Sequence, residues 1–232
     1  MNRPHAASLF WILAATVLLV TALVPFDPVL SQRAQGLPGA IVSFNARITD
    51  FGTFAWMIYG SGLLVISAYI VHRVSRNETV TGRARTALRL SLYFFLTIGA
   101  TSALVHLFKL IVGRARPALF AEHGAYSLSP FAYDDLYSSF PSGHSAAVGA
   151  FFGAFAMLAP RLRPLFLVGA LTIGISRVIV GAHYPSDVAA GLLLGLWAAV
   201  ALAYVFARKD WLFRLDARGW PRPKSMAQDK PQ

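Results

Sequence analysis

LRLSLYFFLTIGATSALVHLFKLIVGRARP, residues 88–117, decides the architecture. Between Arg89 and Lys109 it holds no lysine, arginine or carboxylate. A helix of about 20 apolar residues is what a hydrocarbon core of about 30 Å requires. The block then closes on Lys109, Arg114, Arg116 and Pro117, so cations gather at one end of one span. Working outward, comparable apolar blocks occupy 8–26, 52–72, 144–160, 164–182 and 187–207, with 88–112 as the third of six. The pattern predicts an all-α polytopic membrane protein, a six-transmembrane-helix bundle formed as one membrane domain over 1–232. The fourth block is short and rich in glycine and alanine, which suits close helix packing.

Composition agrees. The chain has 232 residues, 56% of them hydrophobic and only 13% charged, against about 25% charged in soluble domains. Its formal net charge is +11, but the basic residues stand between apolar blocks rather than along a soluble face, which argues against nucleic acid as a partner. The absence of cysteine excludes a disulfide framework, a thiolate nucleophile and a thiolate metal site. The first block follows Met1-Asn2-Arg3, is as long as a span and lacks a clear small-x-small cleavage site. It reads as an uncleaved first span.

Orientation follows from the connections. Arg3, the 73–90 loop, the 160–164 turn and the tail after 207 carry fifteen of the 21 lysines and arginines. By the positive-inside rule these segments are cytoplasmic, as are both termini. Residues 208–232 read as a mobile, basic cytoplasmic tail. On the outer side, Leu37, Ile41, Phe44, Ile48 and Phe51 recur at helical spacing, which fits either an interfacial helix or one packed on the bundle. The 113–143 connection is rich in phenylalanine and tyrosine, residues suited to the headgroup region.

Charged groups near hydrocarbon cost about 2.5–3.5 kcal/mol each, so their placement is informative. They fall in three stretches: Lys109 to Pro117, Pro141-Ser142-Gly143-His144, and Ser176-Arg177 through His183 to Asp187. The arginine count puts all three at the outer end of the bundle. Lys109, Arg116 and Arg177 offer three cations, and an arginine fork matches phosphate oxygens. Ser142 and Gly143 precede a helix, whose free N–H groups attract anions. His183 lies just before Pro185, and Asp187 in the following turn can hold one ring nitrogen so that the other attacks. His144 starts a different helix and can serve as general acid. The set contains no P-loop and no carboxylate cluster for a metal. His106 reads as structural and Arg114 as an interfacial anchor.

These three stretches resemble the signature of the type 2 phosphatidic acid phosphatase superfamily: K-x6-R-P, P-S-G-H and S-R-x5-H-x3-D, every position filled. The family core covers about 88–207. The resemblance implies a metal- and cofactor-independent phosphatase working through a phosphohistidine. It implies His183 as nucleophile, Asp187 as its partner and His144 as acid and then base. Lys109, Arg116, Ser142, Gly143 and Arg177 are implied as phosphate ligands.

The expected function is hydrolysis of a lipid-linked phosphate monoester or diphosphate at the outer face of the membrane. Candidate substrates are a polyprenyl diphosphate, a lipid A phosphate, phosphatidylglycerol phosphate and phosphatidic acid. A lipid phosphotransferase using the same site is the alternative. A transporter or scaffold is disfavoured because the polar residues cluster at one face rather than the midplane. Small size and an alanine- and arginine-rich makeup point to a bacterial inner membrane, with the site facing the periplasm. Oligomeric state is left open.

Overall fold

Lipid offers the backbone no hydrogen bonds, so apolar stretches within it satisfy their own as helices. The computed structural model describes residues 4–224 and shows this outcome. Its helices are α1 (Pro4–Leu23), α2 (Asp27–Gln35), α3 (Gly39–Thr49), α4 (Phe54–Val74), α5 (Glu78–Val112), α6 (Phe120–His123), α7 (Gly143–Leu158), α8 (Arg163–Ile179) and α9 (Pro185–Arg208). A hairpin of β1 (Phe213–Leu215) and β2 (Pro221–Pro223) follows. Among the described residues, five stretches are long and apolar enough to cross a membrane. The sixth expected block is α7, with 16 residues. At 1.5 Å per residue it rises about 24 Å, short of the core's thickness. Nine of its residues are buried, so α7 meets protein more than lipid.

The bundle is built around α7. It packs most extensively on α9 and also touches α4, α5 and α8. Small residues make the α7–α9 contact close. A methyl group added at Gly195 would collide with the backbone of Ala146 and Ala150, and one at Gly191 with the Ser142 carbonyl. The first end of α7 is thereby pinned against the first turns of α9.

Several boundaries differ from the sequence reading. The 73–90 segment is not a loop. Asn77 caps α5 by accepting from Val80 N–H at 3.1 Å, and Arg83, Arg85 and Arg89 lie on the helix itself. Long basic side chains reach water from a helix end, so charge there does not stop the helix. Residues 27–35 form a helix that had not been anticipated. In α3, Ile41 and Phe44 are exposed while Thr49 is buried, and the helix rests on α8. The helix is thus packed on the bundle through α8, with Ile41 and Phe44 turned outward. The tail also differs as far as residue 224. Phe213 is fully buried with Tyr93 and Phe206, its ring centroid 5.1 Å from that of Tyr93. Residues 225–232 of the expected tail lie outside the described residues.

Candidate active site

The end of α5 sets the first wall. Gly113 adopts φ 58° and returns its N–H to the Lys109 carbonyl at 2.9 Å. A Cβ there would strike the Ser129 carbonyl, so glycine alone fits this left-handed turn. The chain then runs beside the long outer loop. Ala115 N–H bonds Ser127 O at 3.0 Å, Arg116 N–H bonds Leu136 O at 2.8 Å, and Ser139 N–H bonds Arg114 O at 2.9 Å. Arg116, half-buried, donates through Nε to the Asp135 carbonyl at 2.7 Å and keeps its terminal nitrogens free of protein partners among the described residues.

The second wall is the start of α7. Ser142 caps it, its Oγ accepting from Ser145 N–H at 3.4 Å and from Ser145 Oγ–H at 2.9 Å. The Ser142 hydroxyl proton is thereby left to donate elsewhere. One expectation needs correcting. The Ser142 N–H is not free for an anion, because it donates to the Asp187 carbonyl at 3.0 Å. Among the described residues the Gly143 and His144 N–H groups have no partner, so the anion-seeking helix end consists of those two. Lys109 Nζ is 3.9 Å from where a Gly143 Cβ would stand. The His144 ring packs against Gly52, in the turn before α4.

The third wall is the α8–α9 connection. Arg177 is buried and donates through Nη1 to Thr49 Oγ1 at 2.9 Å, while its Nε has no partner among the described residues. His183 is 2% exposed and its Nδ1 is unpartnered among those residues. Burial, and then the charges of Arg116, Arg177 and Lys109, hold its pKa well below the usual 6.5. The imidazole is therefore neutral at pH 7, the form a nucleophile needs. The charges of the same three cations all act on this one ring.

Asp187 stands differently from expectation. Its Oδ2 is 3.9 Å from His183 Nδ1, beyond hydrogen-bond reach. Its oxygens are taken instead by Arg114 Nη1 at 2.6 Å, Ser139 Oγ–H at 2.6 Å and Tyr184 N–H at 3.0 Å. Such bonds are often long before substrate binds and tighten in the complex. Arg114 departs from the anchor reading as well. It is 6% exposed and bridges Asp187 to Asp27, at 2.8 Å from Nη2. His106 lies on the exposed face of α5.

Sequence reasoning missed Asp27, Arg114, Ser139, Thr49 and Gly52. Asp27 and Thr49 come from helices before the motifs, and no local spacing ties them to residues more than 80 positions away. Arg114 and Ser139 each lay within two or three residues of a motif position, and that adjacency was the only available signal.

Three cations, two free helix-end N–H groups and a neutral buried histidine at one end of a helical bundle can together receive a phosphate-like anion. The chain belongs to the PAP2 superfamily, whose family model matches residues 90–211. It is 40% identical over 221 residues to the lipid A 1-phosphatase of Rhizobium johnstonii, covering 95% of this chain and 88% of that one. It is also 40% identical over 196 residues, 84% of each chain, to the lipid A 1-phosphatase of Rhizobium etli. Among solved structures, the PAP2-type phosphatidylglycerolphosphate phosphatase of Bacillus subtilis shares the fold, with a TM-score of 0.56 at 22% identity, covering 90% of this chain and 98% of that one. By family and relatives the chain is a phosphatase, carried in a membrane by its apolar helices.

Proposed function

We propose that the chain hydrolyses the 1-phosphate of lipid A through a phosphohistidine on His183. The observation that carries the mechanism is the convergence of Lys109, Arg116 and Arg177 on a buried, neutral His183. The likeness to two lipid A 1-phosphatases over most of their length supports the substrate.

His183 Nδ1 faces Asp187, so Nε2 is the attacking atom. It meets phosphorus in line as the P–O bond to the lipid breaks. Lys109, Arg116, Arg177, the Ser142 hydroxyl and the Gly143 N–H hold the equatorial oxygens as charge redistributes. His144 gives its proton to the departing lipid oxygen. It then takes a proton from the water that cleaves the N–P bond, which releases inorganic phosphate and restores His183. Asp187 holds the Nδ1 side of the ring and offsets its positive charge. A six-crossing arrangement with α7 as the short fourth, oriented by the basic excess at the other end, supports a site on the periplasmic side of a bacterial inner membrane.

The test is mass spectrometry of lipid A incubated with the purified protein, with phosphate release measured in parallel. Loss of the 1-phosphate that survives excess chelator and stops with vanadate is the expected result. Lipid A left intact, while a polyprenyl diphosphate or phosphatidylglycerol phosphate is cleaved, overturns the substrate. Activity abolished by chelator and restored by magnesium overturns the mechanism.

A further inference from the structure

Asp27 lies more than 60 residues before the segment that the family model matches, yet it reaches the site. Its carboxylate is fully buried. It accepts from Ser186 N–H at 2.9 Å and from the Ser186 hydroxyl at 2.5 Å, and pairs with Arg114 at 2.8 Å. Arg114 also donates to Ser186 Oγ at 2.8 Å, and twice to the Ala125 carbonyl, at 2.9 and 3.2 Å. The Tyr184 ring lies 4.3 Å from its guanidinium carbon. Three elements distant in sequence are thus tied at one point directly behind Asp187.

The charges give the arrangement a purpose. Arg114 with Asp187 alone would form a neutral pair. A neutral pair does little for an imidazole 3.9 Å away that also faces three cations. With Asp27 present, two carboxylates flank one guanidinium, and the formal count of the cluster is one negative charge. Its Asp187 end is the one beside His183. We infer that Asp27 is a positioning residue for phosphoryl transfer, which holds Arg114 so that Asp187 keeps both its place and its negative charge beside His183. This rests on the reading of His183 as nucleophile.

Asp27→Asn exchanges the carboxylate for an amide of the same size. Single-turnover formation of acid-labile phosphoenzyme is expected to fall about 10–100-fold, the range seen when a group orienting a reactive ligand is lost. Inhibition by vanadate should hold, because Lys109, Arg116 and Arg177 are untouched. Added to Asp187→Asn, the change should have no further effect, since residues acting as a unit are not additive. A wild-type rate in Asp27→Asn, or a full second loss on top of Asp187→Asn, overturns the inference. If Asp27→Asn does not fold, Asp27→Glu is measured instead: it keeps the charge but shifts the buried carboxylate against Arg114 and Ser186, so phosphoenzyme should still form more slowly than in the unaltered chain while vanadate inhibition holds. A wild-type rate there overturns the inference. Absence of acid-labile phosphoenzyme from the unaltered chain strikes the nucleophile reading first and removes this inference with it.

A cavity of about 970 Å³ runs along α7, α8 and α9, from Gly149 and Ala189 to the end of the bundle remote from His183. Its walls are apolar, and the remote end carries Arg163, Arg218, Arg222 and Trp220. Among the described residues only Arg222 of these three cations has a carboxylate partner, Asp216 at 3.0 Å. We propose that this groove holds the acyl chains of an anionic phospholipid whose phosphate meets Arg163 and Arg218. Basic pockets between membrane helices select such headgroups, and tryptophan favours their depth. In nanodiscs, brominated phosphatidylglycerol is expected to quench Trp220 more than brominated phosphatidylcholine, with a Trp220→Phe variant giving the background. The difference should vanish in Arg163→Gln/Arg218→Gln, while hydrolysis of para-nitrophenyl phosphate is unchanged. Equal quenching by both lipids, a difference that survives the arginine changes, or displacement of the quencher by substrate lipid, which would assign the groove to substrate chains, each overturns the proposal.

Discussion

His183 is kept neutral by burial and by the cations that are to receive the phosphate. Its pKa is lowered, so acidification through pH 6.5, the usual histidine value, should not remove the nucleophile. Phosphoenzyme formation followed by quenched flow should persist below that pH, and a loss centred on 6.5 would show an ordinary exposed imidazole. The two histidines should also fail differently. His183→Ala should trap no phosphate. His144→Ala should lose about 10²–10⁴-fold on an alkyl phosphate, as expected for a missing general acid. It should lose less on para-nitrophenyl phosphate, whose leaving group needs no proton, and should accumulate phosphoenzyme there for want of a base. Trapping in His183→Ala but not in His144→Ala would reverse the roles. Arg116→Ala and Arg177→Ala should each lower activity by orders of magnitude, because their contacts strengthen in the transition state. Arg83→Ala, at the far end of α5, should be nearly silent. Each of these residues was singled out by its type and its spacing. Asp27 was not. A lone aspartate before a proline reads as a helix start, and only the fold reveals that its partner is Arg114, which the sequence had suggested was an anchor.

Helices with long apolar runs could be read from hydropathy because lipid leaves the backbone no other choice. Their ends could not, because they depend on local bonds. Asn77 caps α5 ahead of three arginines, and Pro25 and Pro28 stand at the break where α1 ends and α2 begins. The closeness of α7 and α9 was foreshadowed only as a glycine- and alanine-rich segment. It has a mechanical consequence, since α7 carries Ser142 to His144 at its start while α9 carries Asp187. Gly195→Val would press against the Ala146 and Ala150 backbone and should force the helices apart. Overpacking of this kind costs about 1–3 kcal/mol, so the thermal midpoint should fall. Activity should fall further than in Phe213→Ala. That change creates a cavity costing about 3–5 kcal/mol beneath the hairpin, beside Tyr93 and Phe206, and leaves the site geometry alone. If Phe213→Ala lowers kcat of the folded protein as much as Gly195→Val does, the α7–α9 contact is not what holds the site.

At the scale of the whole molecule, the bundle has two chemically distinct ends. One gathers Lys109, Arg116, Arg177, His144 and His183 under the 113–142 connection, with Tyr126, Phe131 and Tyr133 exposed around it. The other holds the α4–α5 turn, the start of α8 and the hairpin, where Arg73, Arg76, Arg161, Arg163, Arg218 and Arg222 lie. If the excess of basic residues marks the cytoplasmic end, the site at the opposite end meets a substrate presented from the outer leaflet. The chain contains no cysteine, so an introduced one is a unique probe of this orientation. Ala121 and Tyr133 are both exposed at the site end, and a cysteine at either should react in intact cells with a maleimide that cannot cross the inner membrane. Asn77 is exposed in the turn between α4 and α5, and a cysteine there should react only after the membrane is opened. Retained phosphatase activity in each variant certifies that the label reports the working fold. Labelling at Asn77 from outside, with Ala121 and Tyr133 protected, would turn the molecule over and place hydrolysis on the cytoplasmic face.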